Sequence, residues 1–119
     1  MRVLIVGGTG NISTAISREL MARGADLTHF NRGERRPQWS ANVRTIVGDR
    51  TQRARFGEAL ADAGPWDCVI DMVCYEAADA ACDVEVFRGR TAQLIFCSTV
   101  DVYSKTPRTY PVSEENGEL

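Results

Sequence analysis

Short apolar runs alternate with stretches of helical periodicity along most of this chain. The first run, residues 1–6, is nearly unbroken and rich in β-branched side chains, which is typical of a strand buried on both faces. Apolar residues then recur at helical spacing, at Ile12, Ala15, Ile16 and Leu20. Gly24 follows where a helix C-terminal cap is expected. The chain therefore begins with a predicted strand, turn and helix.

The same alternation continues as far as residue 99. Further strands are predicted at residues 25–30, 43–47, 67–71 and 91–97, and further helices at residues 56–63 and 75–87. Residues 34–40 are polar and aperiodic, which indicates a loop or a frayed helical turn. Strands that alternate with helices predict parallel pairing, so we expect an α/β fold with a doubly wound sheet in the order 3-2-1-4-5. Residues 1–99 would form this domain, and residues 100–119 a loop or tail leading toward a substrate-binding portion.

The turn after the first strand is rich in glycine and resembles a phosphate-binding loop. Gly7 would allow a sharp exit from the strand, and Gly10 would let the backbone approach a pyrophosphate closely. Helix N-terminal amides would then face the phosphates. Ser13 stands where a third glycine would ease helix packing, a mild change because serine is small. The predicted cofactor contacts in this loop are Gly7, Thr9, Gly10, Asn11 and Ile12; the alternative is a glycine-rich turn that binds nothing.

Asn31 and Arg32 end the second predicted strand, where such folds contact the adenosine ribose. A carboxylate at this point favours NAD, whereas an arginine pairs with the 2′-phosphate of NADP. This chain has no carboxylate at Asn31 and a cation beside it. We therefore expect NADP in preference to NAD, with a solvated turn arginine as the alternative.

The next two strand ends supply candidate contacts for the adenine. Asp49 would accept a hydrogen bond from the exocyclic amino group, and Arg50 would lie against the ring; the alternative is a simple turn pair. Met72 and Val73 would form an apolar wall for the adenine and its ribose. Asp71 is expected to cap or orient the loop that follows it.

Thr99, after the fifth strand, is the candidate catalytic residue, because its hydroxyl can hydrogen-bond a substrate oxygen. A Tyr-x-x-x-Lys pair would strengthen this assignment, since the lysine lowers the tyrosine pKa for proton transfer. The sequence has no such pair: Tyr75, Tyr103 and Tyr110 are followed four residues on by Asp79, Pro107 and Glu114. We therefore expect this chain alone to bind cofactor weakly and to catalyse little.

Composition and charge limit the kinds of partner and the type of protein that this chain can be. The 119 residues suffice for one domain, and the net charge of −2 argues against nucleic acid or an anionic membrane as partner. Neither a bilayer-length apolar run nor a secretory signal is evident. The four cysteines include no Cys-x-x-Cys pair, which favours buried, reduced thiols in a cytoplasmic protein and no metal site.

Three motifs in order resemble the NAD-dependent epimerase/dehydratase family of extended short-chain dehydrogenases/reductases. They are GGTGNI at residues 7–12, Asp49, and STVDVY at residues 98–103. The resemblance implies a Rossmann fold that binds NADP or NAD, Thr99 at the family's catalytic Ser/Thr position, and a nucleotide-sugar or similar substrate. It also implies that the Tyr-x-x-x-Lys pair and the substrate region follow residue 119.

Two departures from the family pattern resemble its atypical branch. Ser13 replaces the third glycine, and Ser104 stands where the family usually has glycine. Together with residues 31–33, they are similar to the chloroplast stem-loop RNA-binding proteins. The alternative function is therefore that of a non-catalytic member, which senses dinucleotides or binds RNA.

Overall fold

The structure is a computed structural model that describes residues 1–99 of the chain. These residues form one five-stranded parallel sheet in the order β3-β2-β1-β4-β5, which confirms the predicted topology. The strands are β1 (Arg2–Val6), β2 (Asp26–Asn31), β3 (Arg44–Val47), β4 (Trp66–Asp71) and β5 (Thr91–Phe96). The helices are α1 (Asn11–Ala22), α2 (Arg53–Leu60) and α3 (Ala77–Phe87), with a short 3-10 helix at Gln38–Ser40. The predicted tail at residues 100–119 lies outside the described residues.

β1 lies at the centre of the sheet and is buried on both faces. Leu4 and Val6 belong to the hydrophobic cluster that includes the buried apolar side chains of α2 and α3. Val3 and Ile5 belong to a second cluster, against which α1 packs through Ile16 and Leu20. Because successive side chains of a strand point to opposite faces, the apolar run of β1 contributes to two cores.

The buried face of α1 is more polar than its sequence suggests. Ser13 and Ser17 are buried, whereas Ile12 is 62% exposed and Ala15 is also exposed. Two of the four apolar residues at helical spacing therefore lie off the buried face of α1. Serine side chains are small enough to let the helix approach the sheet closely.

α1 ends at the glycine cap that the sequence predicts. Gly24 has a φ of +75°, a conformation that glycine adopts without strain. Its N–H donates to the carbonyl of Met21, and that of Ala25 donates to Leu20. This pair of bonds satisfies carbonyls at the helix end, as a C-terminal glycine cap does.

β5 is one of the two edge strands of the described sheet, and most of its side chains are exposed. Phe96 is 58% exposed, and Cys97 directly after the strand is exposed as well. The expectation that Cys97 is buried was therefore wrong, because no residue in the range 1–99 covers this edge of the sheet. Within the same range no helix combines the length and the hydropathy that crossing a bilayer requires.

Candidate functional site

A cavity of about 680 Å³ opens at the carboxyl ends of β1 to β4. Its volume lies within the range of roughly 300–1,000 Å³ that is usual for small-molecule sites. Residues at or after the ends of these four strands line it. Predicted site residues that line the cavity are Gly7, Thr9, Gly10, Asn31, Arg32, Asp49, Arg50 and Val73.

The glycine-rich loop, residues 7–13, forms one wall of this cavity. Gly7 has a φ of +82°, and a Cβ there would lie 2.9 Å from Val73 Cγ1, so the position requires glycine. Asn11 and Ile12 do not themselves line the cavity but begin α1 directly after Gly10, which does. Their amides lie in the first helical turn, have no intrahelical acceptor, and donate to no acceptor within residues 1–99. They are therefore available to an anion.

Ser13 closes this loop through its hydroxyl group. Its Oγ accepts the N–H of Gly10 at 2.9 Å and donates to the carbonyl oxygen of Gly7 at 2.8 Å. The side chain is 1% exposed. Sequence reasoning treated this serine as a tolerated replacement for glycine and missed its hydrogen bonds.

The end of β2 presents both signs of charge to the cavity. Asn31 Oδ1 accepts the N–H of Gly33 at 2.8 Å, which shapes a tight turn. Arg32 Nη2 lies 3.1 Å from Glu34 Oε2, and both side chains are about two-thirds exposed (66% and 63%). Arg35 lines the cavity as well. A ligand here meets two guanidinium groups, one of them already paired with a carboxylate.

Asp49, after β3, offers a negatively charged acceptor at the cavity. Its Oδ1 accepts hydrogen bonds from the hydroxyl of Thr51 at 2.7 Å and from the N–H of Thr51 at 2.9 Å. These bonds, helped by the nearby charge of Arg32, lower the pKa of Asp49 below its ordinary value. The carboxylate is therefore ionised at neutral pH, with Oδ2 free of the bonds to Thr51.

Arg50 has a different set of partners from the adenine contact that the sequence suggests. It is 6% exposed, and its guanidinium lies over the ring of Phe56 with 4.3 Å from Cζ to the ring centroid. Nε lies 3.1 Å from Asp71 Oδ2, and Nη2 lies 2.7 Å from Asp83 Oδ1 and from the carbonyl oxygen of Asp79. Nη1 is buried and has no hydrogen-bond partner among residues 1–99. We name Arg50, Asp71, Asp79 and Asp83 the Arg50 cluster.

The Arg50 cluster holds the loop between β4 and α3, which forms another wall of the cavity. Asp71 Oδ1 accepts the N–H of Val73 at 2.7 Å, as its predicted orienting role requires. Asp79 Oδ2 accepts the N–H of Tyr75 at 3.3 Å and of Glu76 at 3.2 Å. Bonds from residues buried beneath the cavity therefore fix the backbone at its surface.

Sequence reasoning missed Asp79 and Asp83. Both lie on the buried face of α3 with Phe87, while all four alanines of this helix are exposed. The sequence does indicate that these residues share one helix face, because Asp79, Asp83 and Phe87 are each four residues apart. Burial and the negative charge of Asp71 raise the pKa of Asp83 to about 7, although Arg50 opposes this shift.

Asp71, Cys74 and Asp83 also bring potential metal-ligand atoms within 4.8 Å of one another. The guanidinium of Arg50 is already bonded to both carboxylates. Since this cation supplies the positive charge that the carboxylates need, we assign no metal to the group.

Two predicted site residues lie away from the cavity. Met72 packs against the core cluster on the α1 side of the sheet, so only Val73 of this pair lines the cavity. Thr99 is exposed, three residues beyond the end of β5, and is not a lining residue. Its assignment as a catalytic residue stays a prediction.

Comparison with known sequences places the chain in one family and finds two enzymes to which it is similar. Residues 3–118 match the model of the NAD dependent epimerase/dehydratase family. A 2′-dehydrokanamycin reductase of Streptomyces kanamyceticus is 31% identical over 114 residues, which are 96% of this chain and 32% of that protein. A ribulose-forming D-arabinitol 2-dehydrogenase of Scheffersomyces stipitis is 27% identical over 92% of this chain and 39% of its own length. The chain thus spans about a third of the length of these relatives.

Comparison with solved structures supports the same fold. A UDP-glucose 4-epimerase of Thermus thermophilus, solved with NAD, has a TM-score of 0.79 at 20% identity and matches all of this chain (100%) and 44% of its own. The UDP-glucose 4-epimerase of Bifidobacterium longum, solved with NAD+ and UDP, has a TM-score of 0.74 at 22% identity, covering 97% of this chain and 42% of that one. The sheet described above is therefore a Rossmann-type fold that covers less than half of these structures.

Proposed function

We propose that this chain, which belongs to the NAD dependent epimerase/dehydratase family, is the nicotinamide-dinucleotide-binding part of an oxidoreductase that acts on a nucleotide-sugar or similar substrate. The carrying observation is the cavity itself. It joins a glycine-rich loop with free helix N-terminal amides on one side to an ionised Asp49 on the other. The free amides suit a phosphate at one side of the cavity, and the Asp49 carboxylate suits an adenine amino group at the other.

Each wall of the cavity has a defined part in this proposal. The amides of Asn11 and Ile12 would bind the pyrophosphate, with the positive end of the α1 dipole favouring its charge. Asp49 would accept a hydrogen bond from the adenine amino group, and Val73 would contact the adenosine. The Arg50 cluster would act indirectly, because it fixes the loop to which Val73 belongs.

The chemistry would depend on hydride transfer. A bound nicotinamide ring supplies a hydride acceptor or donor for a sugar carbon. The hydroxyl of Thr99 would donate a hydrogen bond to the substrate oxygen on that carbon and so orient it. Since the sequence contains no Tyr-x-x-x-Lys pair, we expect the 119-residue chain to bind dinucleotide without turning over a sugar nucleotide.

We further propose that NADP is preferred to NAD. Arg32 and Arg35 line the cavity at the end of β2, where a 2′-phosphate would lie. Asn31 supplies an amide rather than a carboxylate, so it does not repel that phosphate. Tighter binding of NADP than of NAD in calorimetric titration is expected, and the reverse order would reject this preference.

Substitution of Gly10 by alanine tests the proposed site with only a small local adjustment of the loop. A Cβ on Gly10 would lie 3.3 Å from Ser13 Oγ and 3.9 Å from the Gly7 carbonyl oxygen, so the free chain accommodates it once the Ser13 hydroxyl shifts by a few tenths of an ångström. A phosphate bound against this backbone would clash with the added Cβ. We expect Gly10→Ala to weaken the dinucleotide at least about 10-fold, a loss of roughly 1.4 kcal/mol, by calorimetry.

Gly57→Ala in α2 is the matched control, because its Cβ would meet only Val86 Cγ2 at 3.4 Å and the residue does not line the cavity. This variant should keep the affinity of the unsubstituted chain. If Gly10→Ala binds as tightly as Gly57→Ala, the glycine-rich loop does not carry the phosphates and the proposed site is wrong.

A further inference from the structure

The glycine-rich loop is supported from beneath by a line of buried polar side chains. Ser13 and Ser17 lie one helical turn apart on the buried face of α1, and His29 lies on β2 beneath them. All three are at most 1% exposed. Polar groups are buried in such positions only when they are hydrogen-bonded, so their bonds identify what they hold.

The bonds run without interruption from the sheet to the loop. Ser17 Oγ donates to the carbonyl oxygen of Ser13 at 2.7 Å and lies 2.9 Å from His29 Nε2. Since the hydroxyl has one proton, which it gives to Ser13, the imidazole donates through Nε2–H. Ser13 in turn bonds Gly10 and Gly7, at the two ends of the tight turn.

His29 also contacts the loop directly. A Cβ on Gly8 would overlap the imidazole carbons of His29, so the ring lies against the backbone of the loop. Trp39 covers the ring edge-on at 5.9 Å between ring centroids. Burial lowers the pKa of His29 to about 4, so the imidazole is neutral at neutral pH. The loop is thus fixed at Gly7, Gly8 and Gly10.

We propose that Ser13, Ser17 and His29 form a clasp that holds the glycine-rich loop in its ligand-binding shape before a ligand arrives, with Ser13 as the positioning residue for the phosphates. The proposal rests on the proposed dinucleotide site. The clasp occupies the amide of Gly10 and leaves those of Asn11 and Ile12 for the anion. Binding to a loop already in shape loses less conformational freedom, which raises affinity.

The test compares the affinity of the Ser13→Ala variant for a ligand with phosphates and for one without. Removing the hydroxyl should weaken ADP about 5- to 30-fold, as the loss of one or two hydrogen bonds predicts. Adenosine, which has no phosphate, should bind as before in an NMR titration. Ser40→Ala is the matched control, since Ser40 is half-buried, donates to the Pro37 carbonyl at 2.7 Å and lies outside the cavity lining.

A purely structural role would weaken ADP and adenosine equally, and that outcome, or an unchanged affinity for ADP, would overturn the clasp. If the unsubstituted chain binds neither ligand, the proposed function fails instead.

Amide hydrogen exchange of the unsubstituted, ligand-free chain tests the clasp independently of any variant's folding. The Gly10 amide should exchange more slowly than those of Asn11 and Ile12. Equal exchange of the three amides would contradict the clasp even where the dinucleotide binds.

Discussion

Replacing Arg50 by methionine tests whether the buried cluster holds the cavity wall. Methionine retains much of the side-chain volume over Phe56 but removes the cation between Asp71 and Asp83. Removing one partner of a buried ion pair typically costs about 3–5 kcal/mol, because the remaining charges are left without compensation. Arg50 bonds two carboxylates and one carbonyl from a position that is 6% exposed, so we expect a loss in that range at pH 8, above the pKa of about 7 for Asp83.

The same reasoning predicts a pH dependence for the Arg50→Met variant. Without the guanidinium, a proton on Asp83 relieves its repulsion with the carboxylate of Asp71. The loss of unfolding free energy relative to the unsubstituted chain should therefore be smaller at pH 5 than at pH 8. Urea denaturation at the two pH values measures both quantities.

Arg53→Met is the matched control. Arg53 bonds Asp79 and Glu76 but is 37% exposed, so water replaces much of what is removed and the loss should be clearly smaller. A loss for Arg50→Met that equals that of Arg53→Met, or that does not change with pH, would refute the assigned role of the cluster.

Three further substitutions have defined outcomes. Because the pKa of Asp83 is raised to about 7, the free energy of unfolding falls as pH rises from about 4 to 7. Asp83→Asn removes this fall, so between pH 5 and 7 the variant should gain about 2 kcal/mol of unfolding free energy relative to the unsubstituted chain in urea denaturation. A difference between the two chains that stays constant with pH would contradict this prediction. Gly7→Ala places a side chain at a φ of +82° and against Val73, so it should cost about 1–3 kcal/mol in the same assay, and an unchanged midpoint would contradict the strain. Glu34→Gln frees Arg32 from its ion pair and should tighten NADP while leaving NAD unchanged in calorimetry; equal effects on both would remove Arg32 from the 2′-phosphate site.

The sequence predicts the sheet because apolar periodicity reports burial directly. The run at residues 1–6 is central in the sheet, and Gly24 ends α1 as its position predicts. Apolar spacing alone does not identify the buried face of α1, because Ser13 and Ser17 occupy core positions there while Ile12 and Ala15 are exposed.

The candidate site was predictable where local chain geometry determines it and not where distant side chains do. Gly7 and Asp49 follow strands directly, so their place at the cavity follows from the topology alone. The partners of Arg50 are Asp71 and, on α3, Asp83, which is 33 residues further along the chain. Their pairing depends on how α3 packs against α2, which follows Arg50 in the chain, and periodicity does not specify that packing.

Amide chemical shifts of the ¹⁵N-labelled 119-residue chain, titrated with NADP, show directly whether this cavity binds a dinucleotide. We expect saturable shifts that are largest at Gly10, Asn11 and Ile12, with a second group at Gly33 and Thr51 beside the ends of β2 and β3. The absence of saturable shifts, or shifts confined to the exposed strand β5, would contradict the assignment of this cavity as a dinucleotide site.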